Sequence, residues 1–295
     1  MSPTRPELPQ VWTVRDIIQW GKEFFTNRGI DEARRNIELM VCAVLGIKRI
    51  ELYTDHDRPL SKEELALLKS MIQRRVAREP LQYIIGKADF YGHTYSVSPA
   101  VLIPRPETEL LVERVSRFCN AHPEHQFSCI DIGTGSGCIA ISALLHSRNT
   151  TWVGVDVSAE ALAVAAVNAS VLGVADRFSP QQVDVLSGLP TGGPWDIVTM
   201  NPPYISKADV EELDPELKDH EPLHALTDNA DGLSFYQRFA ENVQAYVRPG
   251  GYIFLEIGYG QHADVENIFQ SRNCLTTTIA DLAGIPRLVI VEPRT

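Results

Sequence analysis

The sequence predicts an α/β chain, with a mainly parallel sheet covered by helices on both faces and preceded by a small helical bundle and a β-hairpin linker. Three observations predict it. From residue 128 onward short β-like runs alternate with helical ones. Before residue 85 only the helical period recurs. Between these regions, Phe90-Tyr91-Gly92-His93-Thr94-Tyr95-Ser96-Val97 sets aromatic and β-branched residues on either side of a Gly92-His93 turn. The chain has 295 residues, 44% hydrophobic and 22% charged, enough for two domains of ordinary globular composition. The expected boundaries are 1–87 for the helical part, 88–103 for the hairpin linker and 104–295 for the α/β domain.

In chain order, Thr13 and Asp16 resemble a capping box ahead of Ile17, Ile18, Trp20, Phe24 and Phe25, whose helical spacing runs to Gly29. Asp31 is the expected cap of a second helix carrying Ile37, Met40, Val41, Val44 and Leu45, which Gly46 stops. Ser61 and Glu64 form a clearer capping box before Leu65, Leu68, Ile72 and Val76, and Pro80 is the expected end of that helix. Pro99, Pro104 and Pro106 punctuate the chain after the hairpin. Strands are then expected at Cys129 to Ile132, Thr151 to Val155, Gln182 to Val185, Ile197 to Met200, Tyr252 to Ile257 and Leu288 to Val291. Helices fill Ser136 to His146 and Ala159 to Leu172. Ligands of such sheets bind beyond the carboxyl ends of the strands.

Charge narrows the function. Lys and Arg number 27 against 38 Asp and Glu, a net −11, so the molecule as a whole repels polyanions and a non-specific nucleic-acid coat is excluded. Residues 1–90 hold 15 basic and 13 acidic side chains, so the remaining 12 and 25 leave −13 on residues 91–295. The basic stretch Lys69, Arg74, Arg75 and Arg78 reads as a solvated helix face, with a partner-binding face as the second reading. The acidic stretch from Asp209 to Glu221, with seven acids and one lysine, reads as solvated surface or as a lid over a basic partner. Residues 1–14 show no secretory signal, and no apolar run approaches the roughly 20 residues of a membrane span, so a cytoplasmic protein with no membrane partner is expected. Five cysteines without a CxxC pair point to reduced, mostly buried thiols, and eight histidines without ligand spacing point to no metal.

Two segments carry chemistry. In Ile130-Asp131-Ile132-Gly133-Thr134-Gly135-Ser136-Gly137 three glycines stand where a strand turns into a helix. They permit positive φ, let a ligand lie against bare backbone, and leave the helix N-terminus open to a carboxylate. Asp156 follows at the next strand end, where an acid accepts from both hydroxyls of a ribose. The loop runs G-x-G-x-G and places Cys138 at the sixth position, which favours adenosylmethionine over a dinucleotide. Asp184 and Val185, after the third strand, then fall near the adenine. The expected cofactor contacts are Gly133, Thr134, Gly135, Ser136, Gly137, Asp156, Asp184, Val185 and Asn201.

The second segment, Asn201-Pro202-Pro203-Tyr204, ends the fourth strand in a stiff, acceptor-rich loop. The Asn201 side-chain oxygen and the Pro202 carbonyl can each accept one N–H of a planar amide or exocyclic amine, with Tyr204 stacked on its plane. Gripping both hydrogens orients a nitrogen whose lone pair is otherwise delocalised and stabilises the charge that develops on methylation. Asn201, Pro202 and Tyr204 are therefore the expected catalytic residues, and Asn201, Pro202, Pro203 and Tyr204 the expected substrate contacts.

These segments, together with Arg78-Glu79-Pro80-Leu81, the string from Val101 through Ile103-Pro104-Arg105-Pro106-Glu107-Thr108-Glu109, Glu221 to Leu226, Asp231-Gly232-Leu233 and Glu256-Ile257-Gly258, resemble the PrmC/HemK family of protein-(glutamine-N5) methyltransferases. The resemblance implies a Rossmann-like class I methyltransferase domain behind an N-terminal helical bundle that helps to hold the substrate. It also implies S-adenosyl-L-methionine as cofactor, S-adenosyl-L-homocysteine as product, and the glutamine of a Gly-Gly-Gln loop in class-1 peptide chain release factors as target. Val185 stands where some members carry an aromatic residue beside adenine. Two other readings stay open on the residues alone. A DNA or RNA amino-methyltransferase acting on adenine N6 or guanine N2 uses the same grip, but the charge of residues 91–295 and the lack of a basic reading domain speak against direct nucleic-acid binding. A non-catalytic translation-factor binding module would keep the pocket without turnover.

Overall fold

The computed structural model describes residues 11–188 and 190–294. The first ten residues, which belong to the expected 1–87 domain and to the segment read for a secretory signal, lie outside the described residues. The chain divides into two compact units, Met1–Ile85 and Gly86–Thr295.

The first unit comprises α1 (Val14–Thr26), α2 (Ala33–Leu45), α3 (Glu51–Thr54), α4 (Lys62–Val76) and α5 (Leu81–Ile85). Both expected capping boxes are present, Thr13 with Asp16 on α1 and Ser61 with Glu64 on α4. Ile17, Phe25, Ile37, Met40, Val41, Leu68 and Ile72 meet in its core. Three expectations need correction. Asp31 does not cap α2: the N-cap is Glu32, in left-handed backbone at φ 48°, and the Asn36 amide donates to the Asp31 and Glu32 carbonyls instead. Pro80 does not stop α4, which ends at Val76; the Pro80 carbonyl accepts from Tyr83 and Ile84 and so opens α5. Lys69 and Arg74 are exposed as a solvated face requires, but Arg75 is not part of one. Arg75 is buried and donates to Asn36 Oδ1 at 2.7 Å and to the Glu79 carbonyl, Arg74 grips Glu79, and Arg78 reaches the Arg28 and Gly29 carbonyls. Guanidinium groups with five donors serve here as ties between helices and turns.

The second unit begins with the hairpin β1 (Lys87–Phe90) and β2 (His93–Ser96). Its turn falls on Tyr91-Gly92, one residue earlier than expected, because both residues take positive φ, 49° and 77°. Phe90 and Tyr95 enter the core of this unit, Tyr95 Oη lies 2.6 Å from Ser142 Oγ, and Asn168 pairs with both backbone groups of Ser96. There follow α6 (Glu109–Asn120), β3 (Phe127–Ile132), α7 (Cys138–His146), β4 (Thr150–Asp156), α8 (Ala159–Val171), β5 (Phe178–Gln182) and β6 (Trp195–Met200). Beyond these lie α9 (Pro215–Lys218), α10 (Leu223–Leu226), α11 (Ser234–Glu241), α12 (Val243–Tyr246), β7 (Val247–Glu256), α13 (His262–Gln270), β8 (Cys274–Ala280) and β9 (Pro286–Pro293).

Seven strands form one sheet in the order β5-β4-β3-β6-β7-β9-β8. The pairs from β5 to β7 are all parallel, and β9 pairs antiparallel with both β7 and β8, so β9 alone runs against the others. Successive strand residues enter different cores, as a period of two requires. Cys129, Ile197, Phe254 and Leu288 pack with α6, α7 and α8, whereas Ile130, Val198, Leu255 and Val289 pack with α11, α12 and α13. The third parallel strand is Phe178–Gln182 rather than Gln182 to Val185. It is an edge strand, anchored by buried Phe178, and an edge tolerates Pro180 and two glutamines that hide it from a hydrophobic reading. Cys119, Cys129 and Cys274 are buried, and Cys42 and Cys138 half-buried. No helix among the described residues is long and apolar enough to cross a membrane.

Candidate active site

Sheet order reverses between β3 and β6, because the chain goes from β3 outward through β4 and β5 and returns to β6 on the other side of β3. A cleft opens there, beyond the carboxyl ends of these strands, as expected for an open α/β sheet. It encloses about 980 Å³ out to its open mouth and is lined on one side by Gly133 to Ser136 and Asp156, on the other by Asn201 to Pro203. Val183 to Val185 form a third wall.

The glycine loop leaves β3 at Ile132 and enters α7 at Cys138, with φ of 70°, 53° and 79° at Gly133, Gly135 and Gly137. Asp131, fully buried beneath it, accepts from Thr134 Oγ1 and from Thr199 Oγ1 on β6, both at 2.7 Å. Burial pushes its carboxyl up to about 6, against the pull of the two hydroxyls. The glycines differ in their work. Gly133 lines the cleft, and a Cβ there would meet no protein atom within 4 Å. At Gly137 a Cβ would stand 2.6 Å from Ile141 Cδ1 and 3.2 Å from Ala165 Cβ, so this glycine lets α7 and α8 approach. The Ser136 carbonyl is held by Asn168 Nδ2 at 2.9 Å.

Asp156 ends β4 and is locked by two backbone donors, Gly135 N at 3.0 Å and Ser158 N at 3.0 Å. An ionised carboxylate offers about four acceptor positions, so two remain for a ligand. Asp184 lies beyond β5 in a turn, where its oxygens accept from Leu186 N and Ser187 Oγ. The Val185 carbonyl accepts from Tyr246 Oη at 3.1 Å, which fixes the turn whose side chains face the cleft.

Asn201 follows β6 and donates through Nδ2 to Thr108 Oγ1 at 3.2 Å, across 93 positions of sequence. Pro202 is buried and Pro203 half-buried. Tyr204 does not line the cleft: its hydroxyl lies 3.4 Å from Glu256 Oε1, and its carbonyl accepts from Gln261 Nε2 at 2.9 Å. Burial first and Glu256 second push the Tyr204 hydroxyl well above its usual pKa. Burial likewise pushes the Glu256 carboxyl up to about 7.

The remaining wall was visible in the sequence only as strings without a physical role. Leu102, Arg105 and Thr108 come from the segment after the hairpin, and His224 and Ala225 from α10. Glu221 joins these two segments: nearly inaccessible, it receives Arg105 Nη2 at 2.5 Å and the Ile103 N–H at 3.2 Å. In the acidic stretch, Glu211 pairs with Lys218 and Asp209 accepts from Ser206.

Residues 16–86 match the PrmC N-terminal domain family, and residues 106–214 match the methyltransferase small domain family. The release factor glutamine methyltransferase of Geobacter sulfurreducens is 38% identical over 288 residues, covering 96% of this chain and 98% of that protein. The protein of the same name from Bacillus subtilis is 37% identical, covering 87% and 88%. Among solved structures, the hMettl16 catalytic domain in complex with the MAT2A 3′UTR hairpin 6 aligns over 81% of this chain and 86% of its own, with a TM-score of 0.55 at 14% identity. That likeness concerns the fold alone.

Proposed function

The chain belongs to the release factor glutamine methyltransferase family, and from that premise we propose that it transfers the methyl group of S-adenosyl-L-methionine to the side-chain amide nitrogen (N5) of the glutamine in the Gly-Gly-Gln motif of class-1 peptide chain release factors. The observation that carries the reading is the Asn201 amide: with Nδ2 donating to Thr108, its Oδ1 is left to accept a substrate N–H at the cleft.

The donor set suits the cofactor. Gly133 offers bare backbone beside open space, Gly135 and Gly137 shape the loop with Thr134 and Ser136, and Asp156 keeps acceptor capacity for a ribose. Asp184 and Val185 face the position proposed for adenine, and Asn201 borders both ligands. When bound, S-adenosyl-L-methionine supplies an electrophilic methyl group to the amide nitrogen and leaves as S-adenosyl-L-homocysteine. Asn201 Oδ1 and the Pro202 carbonyl each take one N–H of the glutamine carboxamide, which orients the nitrogen for in-line attack. The same acceptors stabilise the charge arising on nitrogen as the new bond forms. Pro203 stiffens the loop. Tyr204 is the proposed stacking partner of the amide plane, and turning its ring to the cleft requires release of the Glu256 contact. The proposed chemistry routes no step through a metal.

The first unit, with residues 1–87 as its proposed extent, is the part proposed to hold the release factor. A release factor as substrate implies a cytoplasmic reaction, without nucleic-acid or membrane partners. The test is transfer of labelled methyl to purified release factor, with a Gln-to-Ala substrate control and DNA and RNA in parallel. Label on the wild-type factor alone, mapped to its glutamine, is the expected result; label only on nucleic acid overturns the substrate. Asn201→Ala should abolish transfer while cofactor and release factor still bind, and an active Asn201→Ala would remove that residue from the mechanism.

A further inference from the structure

Gly232 and Gly258 belong to two conspicuous strings of the sequence, Asp231-Gly232-Leu233 and Glu256-Ile257-Gly258, and neither glycine takes part in the proposed chemistry. Both lie against Tyr204. A Cβ at Gly232 would overlap the Tyr204 carbonyl oxygen, and one at Gly258 would stand 2.7 Å from Gln261 Oε1 and 3.0 Å from Tyr204 Cδ2. Only bare backbone lets these segments meet. What fills the junction is the side chain of Gln261, the N-cap of α13. Its Oε1 accepts from Gly258 N at 2.9 Å, and its Nε2 donates to the Tyr204 carbonyl at 2.9 Å and to the Gly232 carbonyl at 3.5 Å. The backbone groups dictate the orientation of this amide: the Gly258 N–H can only donate and the two carbonyls can only accept, so a reversed amide would lose every one of these bonds. The side chain is held from its own backbone as well, since Gln261 N donates to the Gly258 carbonyl at 3.2 Å and closes the same turn.

We propose that Gln261 is a positioning residue for methyl transfer: its carboxamide clamps the Tyr204 backbone to two glycine turns and so holds Asn201 Oδ1 and the Pro202 carbonyl where the glutamine amide is gripped. The inference rests on the glutamine-transfer reading and deepens it. Gln261 does not line the cleft, so it acts through the loop rather than on the substrate. The loop is built to pass the constraint on. At one end Met200 is fixed by its pairing with Ile132 on β3 and Leu255 on β7. At the other end Gln261 holds Tyr204, and the residues beyond are held by Ile205 N donating to the Leu226 carbonyl at 3.0 Å and Lys207 N to the Ala230 carbonyl at 2.9 Å. Between these anchors Pro202 and Pro203 lock two of the φ angles, so a shift at Tyr204 is carried back toward Asn201 instead of being absorbed. The Gly232 turn is itself braced, with Asp228 accepting from Ala230 N at 2.8 Å and from Gly232 N and Ser234 N at 3.0 Å. With its backbone held, Tyr204 reaches the cleft by side-chain rotation alone, which keeps the swing of its ring from disturbing the two acceptors.

The experiment compares full-length wild type with Gln261→Met and Gln261→Glu in methyl transfer to release factor. Methionine keeps the length of the side chain and removes the amide; glutamate keeps the acceptor for Gly258 N but loses the donor, and turns a negative charge to the Tyr204 carbonyl. Both variants should lower kcat about 10- to 100-fold, with release-factor KM and cofactor Kd within about threefold, because a displaced loop misplaces the acceptors without removing a ligand contact. A wild-type kcat in either variant, or a loss that falls on KM or Kd instead, overturns the proposal. A second readout needs no substrate. In protein carrying 13C at the tyrosine carbonyls the chain gives nine signals, and the one lost in Tyr204→Phe reports the clamped group. In wild type it should lie downfield, as a carbonyl that accepts a hydrogen bond does. In Gln261→Met and Gln261→Glu it should move upfield while the remaining signals stay in place, which shows that the variants are folded. An unmoved Tyr204 signal refutes the clamp. Absence of transfer by wild type refutes the glutamine reading separately, because the carbonyl signal still decides the contact.

Discussion

Replacing Gly137 by alanine forces an L-residue into φ 79° and pushes a methyl group to 2.6 Å from Ile141 Cδ1 and 3.2 Å from Ala165 Cβ. The left-handed backbone costs roughly 1–2 kcal/mol. The crowding adds about 1–3 kcal/mol, since Ile141 is fully buried and the Ala165 methyl has no rotamer to escape into. A stiffer unfolded chain returns about 0.4–1 kcal/mol. The net loss is roughly 1–4 kcal/mol, at about 2–4 °C per kcal/mol for a unit of this size. Gly133→Ala suffers the same backbone term at φ 70° but meets no protein atom, so its stability should fall by only about 0–1.6 kcal/mol. Its methyl would instead stand in the cleft and weaken S-adenosyl-L-methionine binding by about tenfold or more. Urea unfolding of both variants and calorimetric titration of the cofactor separate the two roles. Equal destabilisation, or a loss below about 1 kcal/mol in Gly137→Ala, would refute the assignment of Gly137 to helix packing and Gly133 to the ligand.

Asp156→Ala should weaken cofactor binding by at least about 3 kcal/mol, roughly 100-fold in Kd, if the carboxylate accepts from two ribose hydroxyls. Asp156→Asn should fall between, and an unchanged Kd by calorimetry would sink the ribose role. Glu221→Gln leaves the Arg105 guanidinium without its charge partner; because Arg105 is partly solvated, the loss in urea unfolding should lie near the low end of roughly 3–5 kcal/mol. Asp131 carries a pH signature. Its carboxyl sits near 6 in the fold against 3.8 ordinarily, so between those values the native state keeps a proton that the unfolded chain has released. Its contribution to stability is therefore present in acid and lost as pH rises from about 4 to 6, by roughly 3 kcal/mol. The difference in unfolding free energy between wild type and Asp131→Asn should change by about that amount across the window, and a constant difference would contradict the buried, proton-holding carboxyl.

Much of the fold was legible because local signals were strong. Capping boxes at Thr13 and Ser61 and alternating runs around β3, β4 and β6 are properties of neighbouring residues. The errors fell where tertiary context decides. Edge strand β5 needs only Phe178 in the core, so Pro180 and the glutamines masked it, and Arg75 looked solvated until Asn36, 39 positions away, proved to be its partner. The candidate site divides the same way. The glycine loop and Asn201 to Pro203 line one cleft, and their turn chemistry is written in contiguous residues. Thr108, Glu221 and Glu256 stood inside conspicuous strings, yet their work is visible only through contacts such as Arg105 to Glu221, separated by 116 positions. Periodicity carries no record of pairings at that distance.

The odd strand of the sheet also bears on how the second unit is assembled. β9 lies between β7 and β8 but follows both in sequence, so β8 emerges before the strand that will hold it. The local step is the β8–β9 hairpin, joined through the turn in which Asp281 accepts from Ala283 and Ile285. Sheet completion is then the docking of a ready-made hairpin by its inner strand along Ile253 to Glu256. Until that happens β7 presents an open, apolar edge, which makes this the stage at which the growing protein is most exposed to pairing with a neighbour.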